Sequence, residues 1–158
     1  MDLQKLVLWA APFAYVFGVA YFFRIAAPAQ RKPCLLGWLV PGLGHWIVGR
    51  RDRAIFFGLQ ILGLFVAGLL LSDFRCVSPL DRHPVWAVIQ VPCGGPFLLA
   101  AAATASLEIV RDSAFYQVGC LYTAVACLLN VVALCDLYDL TEPAERRDAR
   151  RPKEGAAS

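Results

Sequence analysis

Long uncharged stretches, more than any other feature, limit what this 158-residue chain can fold into. Residues 54–72 and 115–135 contain no Asp, Glu, Lys or Arg, while arginines crowd into short connecting runs. A hydrocarbon slab selects that pattern, because an ionised group at its centre costs about 2.5–3.5 kcal/mol even on the lenient insertion scale. A soluble protein could bury one such segment in a central helix. A chain this short, 59% hydrophobic and 17% charged, could not bury several. The expectation is an all-α integral membrane protein. It comprises a compact bundle of about five transmembrane helices in residues 1–140, one of them short and open to a re-entrant path. A flexible, basic tail follows over residues 141–158.

The first uncharged run, residues 6–23, is 18 residues long, near the lower limit for a spanning helix. A signal peptide would want its basic residues ahead of the run. Here Lys5 is opposed by Asp2, and Arg24, Arg31 and Lys32 follow, which points to an uncleaved span with its N-terminus outside. Trp9, Phe13, Phe17 and Tyr21 line one face of it, suited to lipid or helix contact. The second run, residues 34–49, has only 16 residues, four of them glycine, with Pro41 among them. A short tilted span, a broken helix and a re-entrant hairpin are all open to it.

Residues 54–72 form the cleanest span, and Ala54 with Gly58 and Gly63 with Ala67 are small pairs that let helices approach closely. Residues 84–107 are apolar but punctuated by Pro92, Gly94, Gly95 and Pro96, which predicts a kink above about 20° or local unwinding near Gly94. Glu108 and Arg111 mark a membrane edge. The last span runs from about Phe115 to Leu137, with Gly119, Thr123, Cys127 and Asn130 as a small-to-polar stripe that should face other helices.

Charge placement orders these segments. Five spans with the N-terminus outside put ten of the 15 Lys and Arg in the cytoplasm: three in 24–33, two in 73–83 and five in the tail. A re-entrant 34–49 leaves four spans and an eight-to-seven split. The five-span model carries one conflict, because Arg50, Arg51 and Arg53 fall outside. The net charge of +3 is therefore a topology signal rather than one for nucleic acid, which is not expected as a partner. Membrane lipids are, at about 1 kcal/mol per basic residue near anionic headgroups. Five of the six cysteines lie in or against apolar runs, and Cys76 in a short polar loop could meet Cys93 only if the chain folds back. Their spacing gives neither a disulfide framework nor a metal-ligand set.

The run from Trp38 to Arg51, Trp-Leu-Val-Pro-Gly-Leu-Gly-His-Trp-Ile-Val-Gly-Arg-Arg, resembles a signature of small bacterial multi-pass proteins of unknown function. These are distantly similar to the two-transmembrane-helix domain, whose glycine-rich first helix ends in a comparable aromatic-x-x-Gly-Arg run. Arg53-Ala54 matches the entry into their next apolar helix. Residues 121–130, Leu-Tyr-Thr-Ala-Val-Ala-Cys-Leu-Leu-Asn, followed by Asp136, match their C-terminal pattern, with Cys127 where glycine is expected. The resemblance spans roughly residues 34–138. It implies a cell membrane, the inner membrane of a bacterium, and supplies no activity, substrate or cofactor.

His45, Asn130 and Asp136 are the polar residues to inspect first. His45 and Asp136 could meet, with the imidazole as proton carrier and the carboxylate fixing its tautomer. The plainer reading, and the favoured one, is that His45 caps the break at Pro41–Gly44 or snorkels to the interface while Asp136 lies at headgroup depth. Arg50, Arg51 and Arg53 are candidate contacts for anionic headgroups, or simple topology markers. No metalloprotease helix, nucleophile elbow, phosphate loop or dinucleotide fingerprint occurs, so no cofactor is expected. The leading functional expectation is a non-enzymatic membrane component that packs against itself or another membrane protein. A small transporter or channel subunit is the alternative, pointed to by the two broken segments. A lipid-modifying enzyme is the third.

Overall fold

The computed structural model describes Tyr21, Arg24 and residues 26–74, 76–77, 89–104 and 115–145. Among them the secondary structure is entirely helical: α1 (Pro28–Leu39), α2 (Leu43–Ile47), α3 (Arg51–Leu71), a 3-10 turn (Val91–Cys93), α4 (Gly95–Thr104) and α5 (Tyr116–Leu140). Two helices, α3 and α5, are long and apolar enough to cross a membrane. At 1.5 Å per residue they reach about 31 and 37 Å. The bundle of five crossing helices is thus corrected to two among the described residues. The residues of the expected first span other than Tyr21, the Glu108–Arg111 edge and the tail beyond Glu145 lie outside the described residues.

The frame of the fold is the pair α3–α5. On α3, Ala54, Ile61, Phe65, Gly68 and Leu69 are buried, whereas Ile55, Phe56, Leu59, Val66 and Leu70 are exposed. On α5 the stripe Gly119, Thr123, Cys127 and Asn130 is buried, and Leu121, Val125, Leu128 and Val132 are exposed. The two helices run antiparallel. Arg53 at the start of α3 pairs with Asp136 near the end of α5, and Gly68 near the end of α3 packs on Gly119 at the start of α5. Between them lies a core of Ile61, Phe65, Cys93, Phe97, Cys120, Ala126 and Cys127.

Residues 34–49 resolve as a broken helix that returns to its starting side. The break needs Gly42, whose φ of 88° is left-handed, and a side chain there would run into the Ala54 carbonyl. Gln30 Nε2, near the start of α1, donates to the Tyr138 carbonyl at 3.1 Å, and His45 of α2 meets Asp136. Both limbs therefore sit against the same end of α5, so this segment does not carry the chain to the opposite end.

The unwinding expected near Gly94 is present. Val91–Cys93 tighten into a 3-10 turn, Gly94 takes φ 58°, and α4 starts afresh at Gly95. A Cβ on Gly94 or Gly95 would collide with the Trp38 or Leu39 carbonyl, respectively. The second break thus seats its backbone on the C-terminal end of α1. Of the two small pairs on α3, Ala54–Gly58 is used, with Gly58 against Pro41 and Gly42. Gly63 faces open space.

The connection after α3 differs from the polar loop expected there. Asp73 and Phe74 reverse the chain at φ 51° and 61°, and the Phe74 amide donates to the Leu69 carbonyl at 2.7 Å. The chain then folds inward and buries Cys76 and Val77. Ser72 stabilises the reversal by donating its hydroxyl to Gly68 O at 2.8 Å and accepting the Cys76 amide at 3.3 Å.

Candidate functional site

Glycines deliver His45 to its position. Gly44 packs so closely on Leu137 and the Pro33 carbonyl that a Cβ would collide with both, so α2 lies flush against α1 and α5. This places His45, 1% exposed, with its ring stacked on Phe57 of α3 at 5.2 Å between centroids. His45 Nε2 lies 3.1 Å from Asp136 Oδ2. With the proton on Nε2 the neutral imidazole donates to the carboxylate, which fixes tautomer and ring orientation. The other carboxylate oxygen, Oδ1, accepts from Arg53 Nη1 at 2.5 Å. Asp136 thus joins α2, α3 and α5, with its side chain 30% exposed and that of Arg53 48% exposed.

The three candidates His45, Asn130 and Asp136 separate into two places. His45 and Asp136 meet. Asn130 lies six residues earlier on α5, about 9 Å along the axis. There its Nδ2 donates to the Pro92 carbonyl at 2.9 Å, a group that the broken helix leaves without its usual partner. The three arginines also divide. Arg53 is committed to Asp136, Arg51 lies over the Trp46 ring at 5.4 Å, and Arg50 is exposed just ahead of α3. Arg50 and Arg51 are both exposed at the surface.

Two glutamines escaped the sequence reading. Gln30 is fully buried and bridges the start of α1 to α5, accepting the Ala27 amide at 2.8 Å while donating to Tyr138 O. Gln90, also fully buried, donates to Thr123 Oγ1 at 2.8 Å and to Cys76 O at 3.2 Å. The available signal was an uncharged amide beside or inside an apolar run, which in such surroundings needs a partner. All six cysteines are free, and Cys76 and Cys93 share the core without a bond. Among the described residues no three His, Cys, Asp or Glu side chains gather as a metal site. The hydrogen bonds of Asp136 among the described residues go to His45 and Arg53, and neither His45 nor Asp136 bonds a Ser, Thr or Cys side chain there.

No curated protein and no solved structure matches the chain. A family model does, over residues 32–149, a stretch that takes in His45, Arg53, Asn130 and Asp136 together with both helix breaks. With most of its length and its whole polar cluster inside that match, the chain belongs to DUF6677, a family of unknown function.

Proposed function

We propose that this chain is a multi-pass protein of a bacterial inner membrane that works through its helix faces and carries out no reaction of its own. The observation that carries the reading is the sidedness of α3 and α5. α5 turns its small and polar residues Gly119, Thr123, Cys127 and Asn130 inward, α3 meets it with Gly68 beside Ile61 and Phe65, and both helices keep many large apolar side chains outward along their lengths. That is the arrangement a lipid-embedded pair requires, since packing and hydrogen bonding, not apolar burial, hold such helices together.

The Arg53–Asp136 pair revises the topology within this reading. Five spans would put Arg53 and the end of α5 on opposite sides of the membrane. Their contact supports one side for both, with residues 28–49 re-entrant. Because α3 ends where α5 begins, residues 84–107 must also return to their own side. Residues 6–23, α3 and α5 are then the crossings. The basic residues divide eleven to four: three in 24–33, three in 50–53 and five in the tail, against Lys5, Arg75, Arg82 and Arg111. This removes the conflict over Arg50, Arg51 and Arg53, which become cytoplasmic together with the C-terminus, and leaves the N-terminus outside. Transport would need the two breaks to open on a cavity. Instead Gly94 and Gly95 close directly on the carbonyls of α1, which favours packing.

Labelling in intact membranes tests both parts. In a Cys135→Ser background, cysteines replacing Arg50 and Glu145 should react from one side, and one replacing Phe74 from the other. Labelling of the first two from opposite sides would restore five spans. Release of the chain by alkaline carbonate would end the membrane reading.

A further inference from the structure

The second helix break gathers buried polar atoms that the described residues leave unsatisfied. Gln90, just ahead of the 3-10 turn, and Asn130 of α5 are both fully buried. Asn130 Nδ2 donates to the Pro92 carbonyl and Gln90 Nε2 to the Cys76 carbonyl, and a carbonyl can only accept. Those partners fix which end of each amide is the nitrogen. Thr123 agrees, since its own hydroxyl is donated to the Gly119 or Cys120 carbonyl and so accepts from Gln90. Asn130 Oδ1 and Gln90 Oε1 are therefore acceptors, and neither receives a donor among the described residues. Trp38 of α1 has the opposite want. Its ring lies against Gly94, with Cδ2 3.0 Å from where a Cβ would stand, and its buried Nε1–H finds no acceptor among the described residues. One donor and two acceptors are left over beside a single stretch of backbone, residues 90–94.

We infer that the break is a site for internal water. A water molecule accepts from Trp38 Nε1 and donates to Asn130 Oδ1 beside the Pro92–Gly94 turn, and water likewise donates to Gln90 Oε1. The leftover atoms select this occupant by their chemistry. A metal cation would be set against the indole N–H and is held by a larger shell of oxygens than two amides supply. An anion would be set against two amide oxygens. An apolar group would leave all three atoms unpaired. Water alone of these both donates and accepts, and buried water is the ordinary partner of polar groups that a fold cannot pair with each other. The break is where such a set arises, because Pro92 takes an N–H out of the backbone ladder and leaves its own carbonyl to Asn130. The inference goes beyond the membrane reading and does not require it, since a buried amide oxygen wants a donor in any surroundings.

The test is nuclear magnetic resonance of the full chain in detergent, with the isotope label confined to its four tryptophans. Trp38→Phe identifies the Trp38 indole signal by its disappearance. In the unsubstituted chain that signal should show a dipolar cross-peak to water, of the sign that marks a long-lived contact and not proton exchange. Asn130→Leu should abolish the cross-peak, while the indole signal of Trp46, exposed on α2, keeps its position and reports that the variant is folded. The thermal midpoint of the unsubstituted chain should be the same in sodium, potassium and choline chloride. A Trp38 indole without a water contact, or with a contact that Asn130→Leu leaves unchanged, would overturn the inference. So would a midpoint raised by sodium or potassium over choline, which would put a cation on the amide oxygens. A cross-peak from the Trp38 indole proton to a side chain in place of water would overturn it too, by giving the acceptor to the protein itself.

Discussion

Gly68 of α3 and Gly119 of α5 meet backbone to backbone. A Cβ on Gly68 would stand 2.8 Å from the Gly119 carbonyl oxygen, and one on Gly119 would stand 2.6 Å from that of Gly68. Neither neighbour can swing aside, because both are main chain. Gly68→Ala and Gly119→Ala should therefore each destabilise the purified protein by about 1–3 kcal/mol through overpacking. Gly63→Ala, in open space on the same helix, should be neutral or stabilising by up to about 1 kcal/mol from helix propensity. Thermal unfolding in detergent separates the two classes. Equal midpoints for all three variants would mean that the helices do not cross at this point.

Asp136 holds two partners of unequal worth. Arg53 is nearly half exposed, so its coupling to Asp136 should measure about 0–1 kcal/mol in a double-mutant cycle. His45 is enclosed, and its bond to a carboxylate should couple by about 1.5–3 kcal/mol. His45→Ala also removes the ring stacked on Phe57, so it should be the most damaging single change of the three. Chemical unfolding of the single and double alanine variants supplies both couplings. A larger value for Arg53 than for His45 would invert the assignment.

Asn130 supports the second helix break and not the His45 pair. Asn130→Leu removes its bond to the Pro92 carbonyl and should cost about 0.6 kcal/mol, the mean for a hydrogen bond between membrane helices. Thr123→Leu should cost more, about 1–3 kcal/mol. Its site is packed against Gly68, and the hydroxyl that accepts from Gln90 would be lost as well. Unfolding midpoints of the two variants should fall in that order.

How much was legible in the sequence varied with the range of the interaction responsible. The stripe on α5 could be read because helical spacing alone puts Gly119, Thr123, Cys127 and Asn130 on one side. The breaks at Gly42 and Gly94 could be read because glycine and proline act on their own backbone. The return of residues 34–49 could not, since it depends on Gln30 and His45 meeting α5 about a hundred positions away. Counting charges by segment puts Arg50, Arg51 and Arg53 on the opposite side from the topology proposed above, because the count presupposes which segments cross. The pairing of Arg53 with Asp136, 83 positions away, was likewise beyond the reach of local pattern.

The loop after α3 gives the last prediction. Its sequence, Asp-Phe-Arg-Cys-Val-Ser, reads as polar and accessible, yet Cys76 lies 2% exposed beneath it. Burial pushes the Cys76 thiol above its ordinary range, so at pH 8 it should be protonated as well as shielded, and a shielded thiol is a poor nucleophile on both counts. The sign follows from linkage. A thiol whose pKa rises on folding favours the folded chain below its unfolded value, and that contribution is lost as pH climbs through the raised one. In a Cys135→Ser background a membrane-impermeant maleimide should leave Cys76 unmodified at pH 8. It should modify the Phe74→Cys variant, two residues away and exposed, within minutes. Cys76 should react only once denaturant opens the turn that Ser72 holds, and the Ser72→Ala variant should lower the denaturant concentration needed. Modification of Cys76 as fast as of Phe74→Cys in the native protein would place this loop in water, and would withdraw the buried Gln90–Cys76 bond with it.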